Sequence, residues 1–385
     1  MDPALRLLRD LVAINSINPT LVPGAPGEAA IADAIAGEMR RIGLDVTVDL
    51  VAPNRPNVVG VLEGRQPGAS LMLCGHTDTV GVAGMAAPFD PVERDGRLYG
   101  RGAQDMKAGV AAMIDAARVV ASEGGLSAGR LVVAAIVDEE HSSIGADALV
   151  TKWTADAAIV TEPTDLAIAI GHKGFEWFEI EVFGRAAHGS RPADGQDAIL
   201  RLGRVLGALE SLDRELQSRS PHPLLGVGSL HASFIEGGRE LSSYPDRAAL
   251  QMERRLLPSE SSQQVLADVQ AILDRLTSED TTFRGRARSL FGRPAYAVAA
   301  DHFLPTALSA SLAAVGGTPR TMGASFWADS AVLCHAGIPS VLFGPGGAGL
   351  HSTEEYVTLG DVLQCRDALV DVTRRVCAGP RSGRG

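Results

Sequence analysis

No apolar run in this 385-residue chain reaches the roughly 18 residues of a membrane span, so no membrane-crossing helix is expected. The chain also lacks an excess of positive charge. Its 35 Lys and Arg stand against 46 Asp and Glu, a net charge of −11, which argues against nucleic acid and anionic membrane surfaces as partners. Cysteine is scarce. The four present, Cys74, Cys334, Cys365 and Cys377, have neither a metal-binding nor a disulfide-framework spacing, and they read as reduced thiols of a cytoplasmic protein. The opening segment MDPALRLLRDLVAIN lacks the basic start and small-residue cleavage site of a signal peptide and reads as an amphipathic helix. No internal repeat is present. A length of 385 residues exceeds one ordinary domain, so two are expected, and 45% hydrophobic residues suffice for their cores.

What the chain does have is alternation. Apolar periodicity predicts helices at 3–14, 28–43 and 106–123, and strands at 45–51, 57–63, 70–75, 131–137 and 157–161. Strands alternating with helices predict an α/β domain whose mixed sheet is covered by helices, with its ligand site beyond the carboxyl ends of the strands. From 174 to 288 the order becomes strand (175–183), helix (195–217), strand (226–236), strand (247–257), helix (262–278) and strand (281–288), the order of a ferredoxin-like α+β unit. Helix 301–315, strand 338–343 and helix 359–376 then return to the first pattern. The expected organisation is a discontinuous domain of 1–173 and 289–385 with an inserted domain of 174–288. The tail GPRSGRG reads as disordered.

The chemically active residues collect at strand ends. An apolar strand ends in Gly75, and His76-Thr77-Asp78 follows at once. A long loop then delivers Gly100 to Lys107, with Asp105, as the next helix begins. Leu131 to Val137 ends in Asp138-Glu139-Glu140-His141, Ala157 to Val160 ends in Thr161-Glu162-Pro163, and Ser340 to Phe343 leads through a Gly-rich turn to His351. Any one of these alone reads equally well as a solvated strand end. Together they bring carboxylates side by side, where they repel and lose hydration, and a dication is the simplest group to neutralise them. Imidazole and carboxylate are ligands suited to Zn²⁺ or a similar divalent ion.

The blocks GHTDTV (75–80), YGRGAQDMKAG (99–109), DEEHSSIGA (138–146), VTEPTD (160–165), GRAAHGSRP (184–192) and GPGGAGLHSTEEYV (344–357) occur in one order over most of the chain. In them the chain resembles the co-catalytic zinc aminoacylase and carboxypeptidase family, which includes acetylornithine deacetylase, succinyl-diaminopimelate desuccinylase and the glutamate carboxypeptidases. The resemblance implies a zinc-exopeptidase-like catalytic domain and makes the insertion a lid that also forms a homodimer. It implies two divalent metal ions, Zn²⁺ first and Co²⁺ as an alternative. His76, Asp105 and Glu162 would hold one, and Asp105, Glu140 and His351 the other, with Asp105 bridging. It makes Glu139 the general base, His188 an oxyanion donor often supplied by the partner subunit, and Arg255 a contact for the substrate carboxylate.

The residues themselves add to this. Asp78, two positions after His76 on an extended strand end, points the same way and can orient the imidazole. Glu139 and Glu140 diverge in extended chain, so they are expected to do different jobs. His141 ranks below them, because the family has no ligand there. Arg254 lies on the strand face opposite Arg255 and reads as solvated. Two departures stand out. Ser242 falls in a substrate-facing turn where many relatives carry Asn. Phe326-Trp327-Ala328-Asp329 replaces the Ser-Asp-Gly-Arg of the desuccinylases, which argues against a dicarboxylate acyl group. Phe326 and Trp327 read as pocket lining or as core, and Asp329 as a contact for a substrate cation or as a helix cap.

The function expected is hydrolysis of the amide of an N-acyl-L-amino acid, of the acetylornithine deacetylase type, with that small molecule or a short peptide as partner. A dipeptidase or glutamate-type carboxypeptidase is the alternative within the class. A non-catalytic ligand-binding protein on the same fold is the alternative outside it.

Overall fold

The computed structural model describes residues 1–378, so the expected disorder of GPRSGRG lies outside the described residues. These residues form two compact units, one of residues 1–170, 298–322 and 328 onward, the other of 171–297 with 323–327. The first runs through α1 (Pro3–Val12), α2 (Ala29–Arg41), β1 (Asp45–Ala52), β2 (Arg55–Glu63), β3 (Ser70–His76), β4 (Val92–Arg94), β5 (Arg97–Tyr99), α3 (Ala108–Ser122), β6 (Arg130–Ile136), α4 (Ile144–Lys152), β7 (Ala157–Val160) and β8 (Ile168–His172). The second holds β9 (Gly174–Phe183), α5 (Ala198–Ser218), β10 (Ser229–Gly237), β11 (Arg247–Leu256), α6 (Ser262–Glu279), β12 (Arg284–Arg293) and β13 (Tyr296–Ala297). The chain ends with α7 (Phe303–Ala314), β14 (Thr321–Ala324), α8 (Ser330–His335), β15 (Ser340–Leu342), β16 (Gly347–Ala348), β17 (Tyr356–Thr358) and α9 (Leu359–Cys377). Among the described residues no helix is long and apolar enough to cross a membrane.

Every long element predicted from periodicity is present within a few residues. Those not predicted are short: α4, α8 and most of the strands of two to five residues span too little chain to show a period. Local chemistry explains the starts. Asp2 accepts a hydrogen bond from the Ala4 amide at 2.8 Å with Pro3 in the first helical position, so α1 begins there and buries Leu7, Leu8, Leu11 and Val12.

In the first unit the sheet runs β1-β2-β6-β3-β7-β15-β8. The pairs β6/β3, β3/β7 and β7/β15 are parallel, and the outer pairs are antiparallel. Register sets the strand ends level: His76 pairs with Ile136, Cys74 with Val160, and Val160 with Leu342. The segments leaving β3, β6 and β7 therefore emerge side by side. Two glycines let the Asp105 turn approach them. A Cβ at Gly75 would lie 2.8 Å from the Met106 methyl, and one at Gly109 would lie 2.0 Å from the Thr161 carbonyl oxygen. A smaller sheet, β16-β17-β5-β4, pairs Tyr356 with Tyr99 and so joins the chain before Asp105 to the chain after His351.

The second unit has the order β10-β11-β9-β12, all antiparallel, with the ferredoxin-like β-α-β-β-α-β sequence of elements. Phe178, Ile180 and Val182 of β9 join Leu202, Val205, Val265, Val269 and Leu273 of α5 and α6 in its core. Glu179 and Glu181 point the other way and pair with Arg288 (2.7 Å) and Arg247 (2.7 Å). Arg254 corrects the sequence reading. It is on the opposite face from Arg255, as expected, but that face is the core side. Its side chain is 1% exposed and pairs with Glu260 (2.5 Å) and Asp268 (2.6 Å). Arg255 is the more accessible of the two.

Candidate metal centre

His76 ends β3, wholly enclosed, and Nε2 lies 3.1 Å from Asp105 Oδ1. Asp105 Oδ2 lies 3.3 Å from His351 Nε2. One carboxylate thus presents an oxygen to each of two imidazoles. Glu140 Oε2 stands 3.0 Å from His351 Nε2, and Glu162 Oε1 and Glu139 Oε2 each stand 3.9 Å from His76 Nε2. Two compact groups result, His76-Glu139-Glu162 and His76-Asp105-Glu140, each with its donor atoms within 4.8 Å of one another. His76 is common to both, whereas the resemblance shares only Asp105 between its two ligand sets. Five carboxylate and imidazole ligands expected from sequence, and Glu139, are therefore brought together from five separate segments.

The turn after β6 is not extended, which corrects the reason given for Glu139 and Glu140 doing different jobs. Asp138 adopts a left-handed φ of 70°. Its carbonyl accepts the Ser143 amide at 2.6 Å, and its carboxylate pairs with Arg55 Nη1 at 2.7 Å. Folded back in this way, the turn aims both carboxylates into the cluster, Glu139 toward His76 and Glu162, and Glu140 toward Asp105 and His351. Left-handed backbone at a non-glycine residue costs roughly 1–2 kcal/mol, so the surrounding bonds must impose it. His351, at φ 59°, is a second such residue.

Asp78 acts on this turn more directly than on the imidazole. His76 Nδ1 lies 3.0 Å from the Asp78 main-chain carbonyl oxygen, and the Asp78 carboxylate is 3.6 Å away, beyond a hydrogen bond. That carboxylate accepts instead from the amides of Glu139 and Glu140, each at 3.2 Å, and from Asn18 Nδ2 at 2.8 Å. Asn18 also donates to Asp138 at 3.0 Å. Arg55 joins Asp138 to the buried Glu28 (2.5 Å). Asn18, Arg55 and Glu28 have no motif of their own in the sequence. They sit in the N-terminal 60 residues, and only the fold brings them beneath the site.

The electrostatics fit a divalent ion. Burial and the neighbouring Glu162 push Glu139 well above the usual carboxylate range, and burial does the same to Glu162. Burial and Asp105 raise Glu140 to about 6. Hydrogen bonds to Asp105 and Glu140 raise His351 to about 10. Asp105 moves the other way: His351 and His76 overcome the effect of its burial and hold it low. Glu140 Oε1 and Glu162 Oε1 are buried, and no hydrogen-bond donor reaches either among the described residues. Carboxylate oxygens left in that state are costly unless a cation meets them, and two imidazoles with several carboxylates are a donor set suited to one or two such ions.

The other predicted residues, Asp329 apart, belong to the second unit. His188 is exposed; the Ser190 amide donates to its Nδ1 at 3.2 Å. Ser242 is exposed, and its carbonyl accepts the Gly189 amide at 2.6 Å, so the His188 and Ser242 segments lie together. Arg255 Nε pairs with Glu253 at 2.6 Å, and the guanidinium sits 5.7 Å over the Phe175 ring. Trp327 is half-buried, packs edge-on to Phe175 (6.0 Å) and donates to the Pro294 carbonyl at 3.2 Å. Asp329, in the first unit, is buried, and its charge contributes to raising Glu139 and Glu162.

Comparison with known proteins finds a family and a fold in common. The family described as Peptidase family M20/M25/M40 matches residues 72–375. Acetylornithine deacetylase of Myxococcus xanthus is 31% identical over 403 residues, covering 98% of each chain. N-formyl-4-amino-5-aminomethyl-2-methylpyrimidine deformylase of Bacillus subtilis (strain 168) is 28% identical over 392 residues, covering 93% of this chain and 92% of that one. Among solved structures, a tripeptidase from Staphylococcus aureus subsp. aureus Mu50 superposes with a TM-score of 0.81 at 20% identity over 98% of both chains. A Bacillus subtilis protein described as a dinuclear metal binding peptidase superposes with a TM-score of 0.76 at 15% identity, over 97% of this chain and 98% of that one.

Proposed function

The chain belongs to peptidase family M20/M25/M40 and is a metal-dependent amidohydrolase; within that family we propose that it hydrolyses the amide bond of an N-acyl-L-amino acid, an activity of the acetylornithine deacetylase type. The observation that carries this reading is the Asp105 carboxylate set between His76 and His351, one oxygen toward each. His76, Asp105 and Glu162 would hold one divalent ion, and Asp105, Glu140 and His351 a second, Zn²⁺ first. Bound there, the ions supply Lewis-acid polarisation of the scissile carbonyl and a lowered pKa for the attacking water.

In this reading Glu139 is not needed as a ligand. It takes a proton from the attacking water as the oxygen bonds to the carbonyl carbon, and delivers it to the nitrogen as the C–N bond breaks. Burial and the neighbouring Glu162 raise its pKa above the usual carboxylate range, the direction that favours holding a proton between the two steps. Asp78 holds the turn that aims it. The Ser190 segment engages His188 at Nδ1, which leaves Nε2 as the ring nitrogen to donate to an oxyanion. Arg255 would meet the substrate carboxylate, and Ser242 would line a substrate-facing turn beside the His188 segment. A homodimer through the second unit is supported by edge strand β10, whose Phe234 and Ile235 are exposed. The four free cysteines suit a cytoplasmic setting.

One observation favours a second reading. Arg255 is already engaged by Glu253 and Phe175, an arrangement that a substrate without a carboxylate leaves undisturbed. An N-formyl amide of an aromatic amine is such a substrate. The test is amine release by Zn²⁺- or Co²⁺-loaded protein from N-acetyl and N-formyl amino acids, dipeptides and N-formyl aromatic amines. Turnover of the acyl amino acids is expected, with Glu139→Gln keeping both ions and losing about 10²–10⁴ in kcat. Preference for the aromatic formamides selects the second reading. No turnover on the whole panel, with two ions bound, overturns both and leaves a binding protein.

A further inference from the structure

Glu355 lies four residues beyond His351, and its carboxylate is met by main-chain amides and by the Arg101 guanidinium. The residue is 1% exposed. Oε1 accepts the amides of Gln104 (2.9 Å) and Asp105 (3.1 Å). Oε2 accepts the amide of Gly102 (3.1 Å) and Nη1 of Arg101 (2.6 Å). Arg101 in turn donates from Nη2 to the Ser352 carbonyl (2.9 Å) and from Nε to the Gly81 carbonyl (3.2 Å). The Gly100 amide closes the set by donating to the Glu355 carbonyl at 3.1 Å.

The turn so held does not hold itself. Asp105 (φ −115°, ψ 97°) and Met106 (φ −131°, ψ 33°) are off helical geometry, so the α3 helix does not set their conformation. Three main-chain amides of residues 102–105 converge on one side chain from a distant segment, and that segment also carries His351. We propose that Glu355 and Arg101 are positioning residues, a clamp that sets the spacing of Asp105 from His351 and thereby forms the Asp105-Glu140-His351 ion site. The proposal rests on the two-ion reading above. It makes an asymmetric claim. Loosening the clamp frees two of the three corners of that site, Asp105 and His351, but only Asp105 in the His76-Asp105-Glu162 site.

The test is calorimetric titration of the ion-free full chain with Co²⁺, for wild type, Glu355→Gln and Arg101→Lys. Glutamine keeps the size of the side chain but turns an NH₂ toward amides that need an acceptor. Val376→Ala, a core truncation in α9 away from the site, controls for lost stability. Wild type and Val376→Ala should each take up two ions. Each clamp variant should bind one ion nearly as wild type and the other about 10–100-fold more weakly, the usual effect of removing a partner that orients a ligand. Equal weakening of both steps, or two unchanged steps beside a lowered melting temperature, overturns the clamp. So does failure of both clamp variants to fold, since the contacts then serve the fold alone. A wild-type chain that takes up only one ion refutes the two-ion reading and the clamp with it, and that failure is read on the unmodified protein.

Discussion

Replacing Asn18 tests whether hydrogen bonding or packing holds the Glu139-Glu140 turn. The Asn18 amide donates to Asp78 at 2.8 Å and to Asp138 at 3.0 Å, and its oxygen accepts the Thr20 amide at 2.9 Å. The side chain is fully buried, and so are both carboxylates. A hydrogen bond to a charged group contributes roughly 1.5–3 kcal/mol, so losing two costs about 3–6 kcal/mol. Alanine leaves a polar hole that admits water, which returns part of that sum, and a loss of about 3 kcal/mol is expected. Leucine fills the hole, offers no donor and excludes the water, so the loss should approach about 5 kcal/mol. A packing role predicts the reverse order, with leucine the milder change. Urea unfolding followed by circular dichroism gives both values by linear extrapolation. Because Asp78 carries the amides of Glu139 and Glu140, each variant should also lose about 10–100-fold in kcat. Leucine less damaging than alanine, or both within about 1 kcal/mol of wild type, refutes the reasoning.

Ion uptake should release protons and strengthen as pH rises. His351 at about 10 and Glu140 at about 6 are raised, so at neutral pH His351 is largely protonated, and an ion must displace that proton. Affinity should climb as pH rises toward 10 and fall more steeply below 6, where Glu140 also takes a proton; titration in buffers of different ionisation heat counts the protons, and uptake independent of pH would contradict the ligand set. Arg254→Ala should cost about 3–5 kcal/mol, because it strands Glu260 and Asp268 beside a core. Arg255→Ala should leave stability nearly unchanged in the same urea assay and raise KM for substrates bearing a carboxylate, and a stability loss equal to that of Arg254→Ala would make Arg255 structural. Co-expressed Glu139→Ala and His188→Ala chains should recover about a quarter of wild-type activity if His188 serves the partner's site, since half of the dimers are hybrids with one sound site. Activity no higher than that of the two parents, with hybrid dimers present, removes that role.

The alternation of strands and helices, the change of order at 174 and the acidic and imidazole strand ends are local patterns, and they were sufficient to read an α/β domain, a ferredoxin-like unit and a gathering of carboxylates and imidazoles at the strand ends; the resemblance of the motif blocks then singled out His76, Asp105, Glu139, Glu140, Glu162 and His351. These residues could be found because each follows a buried strand or a Gly-rich turn at short range, where periodicity and turn chemistry report directly on conformation. Their supports were not legible. Asn18 reaches Asp78 across 60 positions, Arg101 reaches Glu355 across 254, and no spacing relates them. The direction of Glu139 and Glu140 depended on a left-handed Asp138 that Arg55 and Asn18 hold from outside the motif. Arg254 looked solvated because a strand's period says only that neighbours face opposite ways, and tertiary packing decides which face is the core. The sequence determined which chemical groups arrive at the ends of the sheet. Tertiary structure alone decided their aim and their burial, because both are set by hydrogen bonds and packing between segments far apart along the chain.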